Sequence, residues 1–169
     1  MKVEEGVVFC IPLFMAKDDW KLKTKLSEAD LEKDFAFGRV IETSSSVLVE
    51  IFKKVGPSMT EIDEIINSGI MFSPVQIFWD AVVKKRWRVI GRTENYDKFK
   101  DSNYDKLKMA FPPLVGDVFR LMDLAAREEA PISRDELKQY EFSTVWFPID
   151  LENRILSEML KENSHGRNK

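Results

Sequence analysis

The sequence predicts an α+β fold: a strongly bent antiparallel β-sheet or small barrel, with short helices and a C-terminal packing helix. Three observations carry this. Residues 36–54, AFGRVIETSSSVLVEIFKK, form two Val- and Ile-rich runs around a polar turn. Ser58 with Glu61, and Ser133 with Glu136, have the spacing of a capping box and mark the starts of short helices. Leu151, Ile155, Met159 and Leu160 make an apolar stripe behind Asp150, a helix N-cap.

Taken in order, residues 7–14 read as the first strand, with Pro12 at an edge or a bulge because proline cannot donate to a ladder. Residues 16–34, AKDDWKLKTKLSEADLEKD, interrupt the apolar pattern. Within them Ser27 caps a short helix over residues 28–33, with Asp30 at its third position. A four-residue loop at 43–46 then sets the register of the next two strands. It places Glu42 opposite Val47, Ile41 opposite Leu48, Val40 opposite Val49, Arg39 opposite Glu50 and Phe37 opposite Phe52. Phe37, Arg39, Ile41, Leu48, Glu50 and Phe52 share one face; Gly38, Val40, Val49 and Ile51 share the other. Both faces are apolar, so this hairpin belongs inside the fold. A slip of one residue would strand Arg39 among apolar groups.

Ser58 opens a helix carrying Ile62, Ile65 and Ile66 on one side, and Gly69 ends it. Residues 72–83 alternate as a strand, Lys84-Lys85-Arg86 is a basic turn, and residues 87–92 return as a paired strand. Residues 94–109 read as loop. Strands follow at 117–122 and 142–147, a short helix at 133–140 and the last helix at 150–162.

Composition bounds the function. The chain reads as one domain over residues 1–163, with 16–34 as a charged surface insertion and 164–169 as a flexible tail. A 44% hydrophobic and 33% charged balance argues for a folded core rather than disorder. No apolar run nears the roughly 20 residues that cross a bilayer. The first residues carry two glutamates where a signal peptide would be basic, which points to the cytoplasm. With 26 basic and 29 acidic residues, the net charge of −3 gives no general drive toward nucleic acid.

Cys10, alone of its kind, forms no internal disulfide and sits in an apolar strand as an inert thiol. The one histidine, His165, lies in the terminal tail, which argues against Ser-His-Asp and Cys-His triads and against His-rich zinc sites. The carboxylate clusters at Asp18-Asp19, Glu61 to Glu64 and Glu128-Glu129 lack EF-hand spacing. There is no phosphate-binding GxxxxGK[ST] loop and no GxGxxG fingerprint. No metal, cofactor or catalytic residue is therefore assigned.

Four motifs in order, FCIPL at 9–13, AFGRVI at 36–41, VLVEIF at 47–52 and WRVIG at 87–91, resemble the bacterial immunity protein 26 family. That family groups with HocA-type phosphotriesterases. The resemblance spans roughly residues 6–115. It implies a cytoplasmic, non-enzymatic protein that neutralises a cognate toxin domain, and a mildly acidic chain complements a basic toxin such as a nuclease. Family members link the first two strands more briefly, which marks residues 16–34 as an insertion. On this reading Asp18, Asp19, Trp20, Glu28 and Asp30 carry partner contacts, while Trp20 has the alternative of pinning the loop to the body. Arg39 and Glu50 are either a structural ion pair or the charged lining of a pocket. Two other functions stay open: a phosphotriesterase-like hydrolase, from the HocA-type relatives, and a phosphate- or RNA-binding module built on Lys84 to Arg92.

Overall fold

The structure, a computed structural model, describes residues 3–15, 25–44 and 46–166. Strand β1 (Val7–Pro12) ends in a 3-10 turn at Leu13–Met15. Helix α1 (Glu28–Leu31) precedes β2 (Phe35–Thr43) and β3 (Val47–Gly56). Then come α2 (Ile62–Asn67), β4 (Val75–Ile77), α3 (Asp80–Val83), β5 (Arg88–Arg92), α4 (Lys98–Asp101) and β6 (Lys108–Phe111). The chain finishes with β7 (Phe119–Asp123), β8 (Glu128–Ile132), β9 (Glu141–Phe142), β10 (Val145–Trp146) and α5 (Pro148–Gly166).

The α+β class holds, but the strands form two mixed sheets rather than one antiparallel sheet or a barrel. The larger runs β10-β4-β3-β2-β1-β5 and the smaller runs β8-β7-β6-β9. The β10–β4 and β6–β9 pairs are parallel.

The central hairpin keeps the expected register where it matters most. Gly38 pairs with Ile51, Arg39 with Glu50 and Val40 with Val49. Toward the turn a bulge skips Ile41, so Glu42 faces Leu48 and Thr43 faces Val47. The loop is therefore a residue shorter than expected. A second irregularity at Phe37 removes its expected pairing with Phe52. Both faces are buried, as their composition requires. Val40, Val49 and Ile51 join the main core with Phe9, Trp87, Leu151 and Ile155. Phe37 and Phe52 pack with Val8, Cys10 and Ile65 on the other side. Gly38 is needed where it stands: a Cβ there would lie 2.6 Å from the Phe9 ring. That ring stacks on Trp87 and meets Trp79 edge-on.

Several local expectations give way. Ser58 does not cap α2; its backbone N–H bonds the Leu31 carbonyl and Glu61 takes the N-cap position. Only residues 75–77 of the expected 72–83 strand are extended. Residues 80–83 turn into α3, closed by Lys85 in the left-handed conformation, and β4 and β5 lie apart in the sheet. The apolar spacing of Trp79, Ala81 and Val82 serves one helical turn as well as a strand. The 94–109 loop contains α4, a 3-10 turn and the start of β6. The expected strand at 142–147 divides at Ser143-Thr144 into β9 and β10, one in each sheet.

Helix α5 begins at Pro148, a residue favoured in a first helical turn, and continues to Gly166, past the expected end at 162. Its buried face carries Leu151, Ile155, Leu156 and Met159. Leu160 points outward at 70% exposure, because 100° per residue puts it about 180° from Leu151. Two expected caps are made as drawn: Ser27 with Asp30, and Ser133 with Glu136 at the head of a 3-10 turn. No helix among the described residues is long and apolar enough to cross a membrane.

Candidate functional site

Strands β2 and β3 bring Arg39 and Glu50 face to face, 2% and 3% exposed. Arg39 Nε donates to Glu50 Oε1 at 2.7 Å. Its Nη1 donates to Thr93 Oγ1, and Nη2 to the Asp101 carbonyl and Ser102 Oγ. Ser102 Oγ in turn donates to Glu50 Oε1 at 2.8 Å, and shares a hydrogen bond with the Tyr96 hydroxyl. The guanidinium lies over the Tyr96 and Phe52 rings. Burial pushes the Tyr96 hydroxyl up to about 12. The donors of Arg39 are directed to protein acceptors, so the arrangement clamps residues 93–102 onto the hairpin.

A second buried pair joins β5's approach to the last helix. Arg86 and Glu152 are 1% and 0% exposed. Arg86 Nε and Nη2 donate to the two carboxylate oxygens at 2.8 and 2.6 Å, and Trp87 Nε1 donates to Glu152 Oε1 at 2.8 Å. This fork-on-fork contact docks α5 on the sheet. Of the basic turn Lys84-Lys85-Arg86, the two lysines are exposed and Arg86 is interior.

A third group sits where the two sheets meet. Ile41 and Leu48 of the larger sheet pack against Met109 of the smaller one and Tyr104 of the 3-10 turn before it. The Tyr104 hydroxyl donates to Glu42 Oε2 at 2.6 Å and to the Leu124 carbonyl. Burial and the adjacent carboxylate raise its pKa well above the usual phenol. Lys98 Nζ bridges Glu5 and Glu42 at 3.0 and 3.2 Å. Burial works against its charge, but those two carboxylates outweigh it and hold its pKa up. Beside this group a cleft of about 660 Å³ opens between the sheets. A more open cleft of about 700 Å³ lies beside Trp146, Phe147 and Arg154. The Arg154 guanidinium is already committed there, paired with Glu141 and stacked on Phe72.

Of the sequence-derived contact residues, Asp18, Asp19 and Trp20 lie outside the described residues. Glu28 is exposed on α1. Asp30 is spent locally, accepting from Ser27 and Lys33, and these bonds hold its carboxyl below the usual range. Neither touches Arg39 or Glu50. Among the described residues, no three His, Cys, Asp or Glu side chains converge as metal ligands. The Lys98–Glu42–Tyr104 group has no local sequence signal, and Glu152 has a weak one. A glutamate inside the stripe of Leu151 and Ile155 was the one hint of burial.

These features define an α+β protein of two mixed sheets, fastened by buried arginine–glutamate clamps. A family model described as immunity protein 26 matches residues 4–111, and the chain belongs to that family. The match ends with β6, so β7 to β10 and α5 lie beyond it. The phosphotriesterase grouping is no part of the matched description. No curated protein and no solved structure matches the chain.

Proposed function

We propose that this chain is a non-enzymatic cytoplasmic immunity protein that binds and neutralises a cognate bacterial toxin domain. Membership of the immunity protein 26 family, over residues 4–111, carries this reading. Surface charge supports it. The Ser58 N–H bond to the Leu31 carbonyl, 2.9 Å, holds α1 beside the approach to α2. Glu28, Glu32 and Asp34 from the first segment and Glu61 and Asp63 from the second are exposed, as are Met59, at 79%, and Lys33, which pairs with Asp30. A surface rich in carboxylates beside an exposed apolar side chain suits a basic partner such as a nuclease, steering its approach and then excluding water at the contact. Asp18, Asp19 and Trp20 precede the first of these segments in the sequence.

The test is affinity capture of the tagged full chain from its host at low and high salt, followed by growth assays on the captured protein. A stoichiometric partner that is toxic when expressed alone, and harmless when co-expressed with this chain, establishes the function. Capture of no such protein, or toxicity unrelieved by co-expression, overturns it.

A further inference from the structure

The cleft between the two sheets contains polar groups that the fold does not use. Ser44 and Ser46 come from the β2–β3 turn, Gln76 from β4, Ser143 from the β9–β10 junction and Arg127 from the β7–β8 turn. Among the described residues, none of these side chains has a hydrogen-bond or ion-pair partner, in contrast to the closed networks around Arg39 and Arg86. Leu48, Phe111, Met122, Leu124 and Val145 supply apolar wall. An apolar cleft of this size with a few convergent polar groups is the usual form of a small-molecule site.

Arg127 sets the sign of the ligand. It closes the β7–β8 turn at φ 57°, in the left-handed region that favours glycine, and its N–H bonds the Asp123 carbonyl. A long cationic side chain is thus kept at a position where backbone geometry prefers none. Arg127 lines the cleft together with Tyr104. The acidic side chain in the lining, Glu42, is already held by Lys98 and Tyr104. Arg127 is left as the charge that an incoming group can meet.

We propose that this cleft binds a small amphipathic carboxylate: its carboxylate on Arg127 and serine hydroxyls of the lining, its apolar body against Leu48, Phe111, Met122 and Leu124. A planar guanidinium fork matches a carboxylate, and a chain of several methylenes fills the apolar wall. The site draws on segments beyond the family match and does not rest on toxin binding.

Calorimetric titration of the full chain with octanoate, below its micelle concentration, tests the assignment, with octylamine as the cationic control. Octanoate should bind saturably, and octylamine at least about tenfold more weakly. Arg127→Gly is the decisive variant, because glycine relieves the left-handed turn. It should raise the thermal midpoint while weakening octanoate about tenfold. Arg127→Gln should weaken octanoate similarly. No saturable octanoate binding, equal binding of octylamine, or unchanged octanoate affinity in a folded Arg127→Gly variant overturns the proposal.

Discussion

Arg39 and Glu50 occupy directly paired positions on β2 and β3 and are joined by a 2.7 Å hydrogen bond from Nε to Oε1 inside the protein. Their separation in sequence is only the hairpin, yet the guanidinium also holds Thr93, Asp101 and Ser102 from a distant segment. Two desolvated charges stabilise little in themselves; their strength is that neither tolerates losing the other. Arg39→Ala or Glu50→Ala should therefore cost about 3–5 kcal/mol in chemical denaturation. The paired replacement Arg39→Met with Glu50→Leu should recover much of that loss. Single variants within about 1 kcal/mol of wild type would show the pair to be solvated in solution.

The same reasoning applies to Glu152, where one carboxylate accepts from Arg86 and from the Trp87 indole. Glu152→Ala removes the acceptors that tie α5 to the sheet, at a cost of about 3 kcal/mol or more. Hydrogen exchange should speed first in α5, and tryptophan emission should shift as Trp87 loses its partner. Uniform exchange across the chain would show that α5 docks through Leu151 and Ile155 alone.

Alkaline pH should weaken the fold through two buried groups. Burial raises the Cys10 thiol from 9.0 to about 11 and the Tyr96 hydroxyl from 10.0 to about 12. Each binds its proton more tightly when folded, so its contribution is complete below the unfolded pKa and is lost as pH climbs through the folded one. Stability should fall between about pH 9 and 12, with Cys10→Ala removing the lower part of the decline. At pH 8 the native thiol should react with a disulfide reagent about 100-fold more slowly than the unfolded chain, in keeping with its smaller thiolate fraction. Rapid native labelling would contradict the burial of Cys10.

The parts of this fold that were legible in sequence are those set by local periodicity. Residues 36–54 are two apolar runs that bury Arg39 and Glu50 at positions that must meet, so charge fixes the register at the centre of the hairpin, while the bulges at Phe37 and Ile41 left no mark in the pattern. The helical stripe of Leu151, Ile155 and Met159 is equally local. What escaped was non-local. Arg86 and Glu152 are 66 residues apart, and nothing near either announces the other. β6 and β9 are short strands whose partners come from elsewhere in the chain. Trp79 to Val83 fits a strand and a helical turn equally, and the turn won through bonds from the Arg86 and Trp87 N–H groups to the Ala81 carbonyl. The cleft at Arg127 needs both sheets in place before its lining exists.

The carboxylate-rich surface makes a last prediction about how a partner is met. Glu28 is exposed, and no hydrogen bond or ion pair engages its side chain among the described residues. Asp30 carries the same charge but spends it on Ser27 and Lys33. Neutralising Glu28 by Glu28→Gln should leave the fold intact and slow association with a basic toxin about two- to threefold at low salt, an effect that vanishes near 1 M salt, where the screening length is about 3 Å. Asp30→Asn should instead loosen the turn into β2, visible as faster hydrogen exchange around α1. The triple variant Asp18→Ala, Asp19→Ala, Trp20→Ala should affect dissociation as well as association, because a buried aromatic anchor governs lifetime more than encounter. Stopped-flow binding across a salt series separates these effects. If all three variants bind the captured toxin at wild-type rates, the contact lies on another face of the molecule.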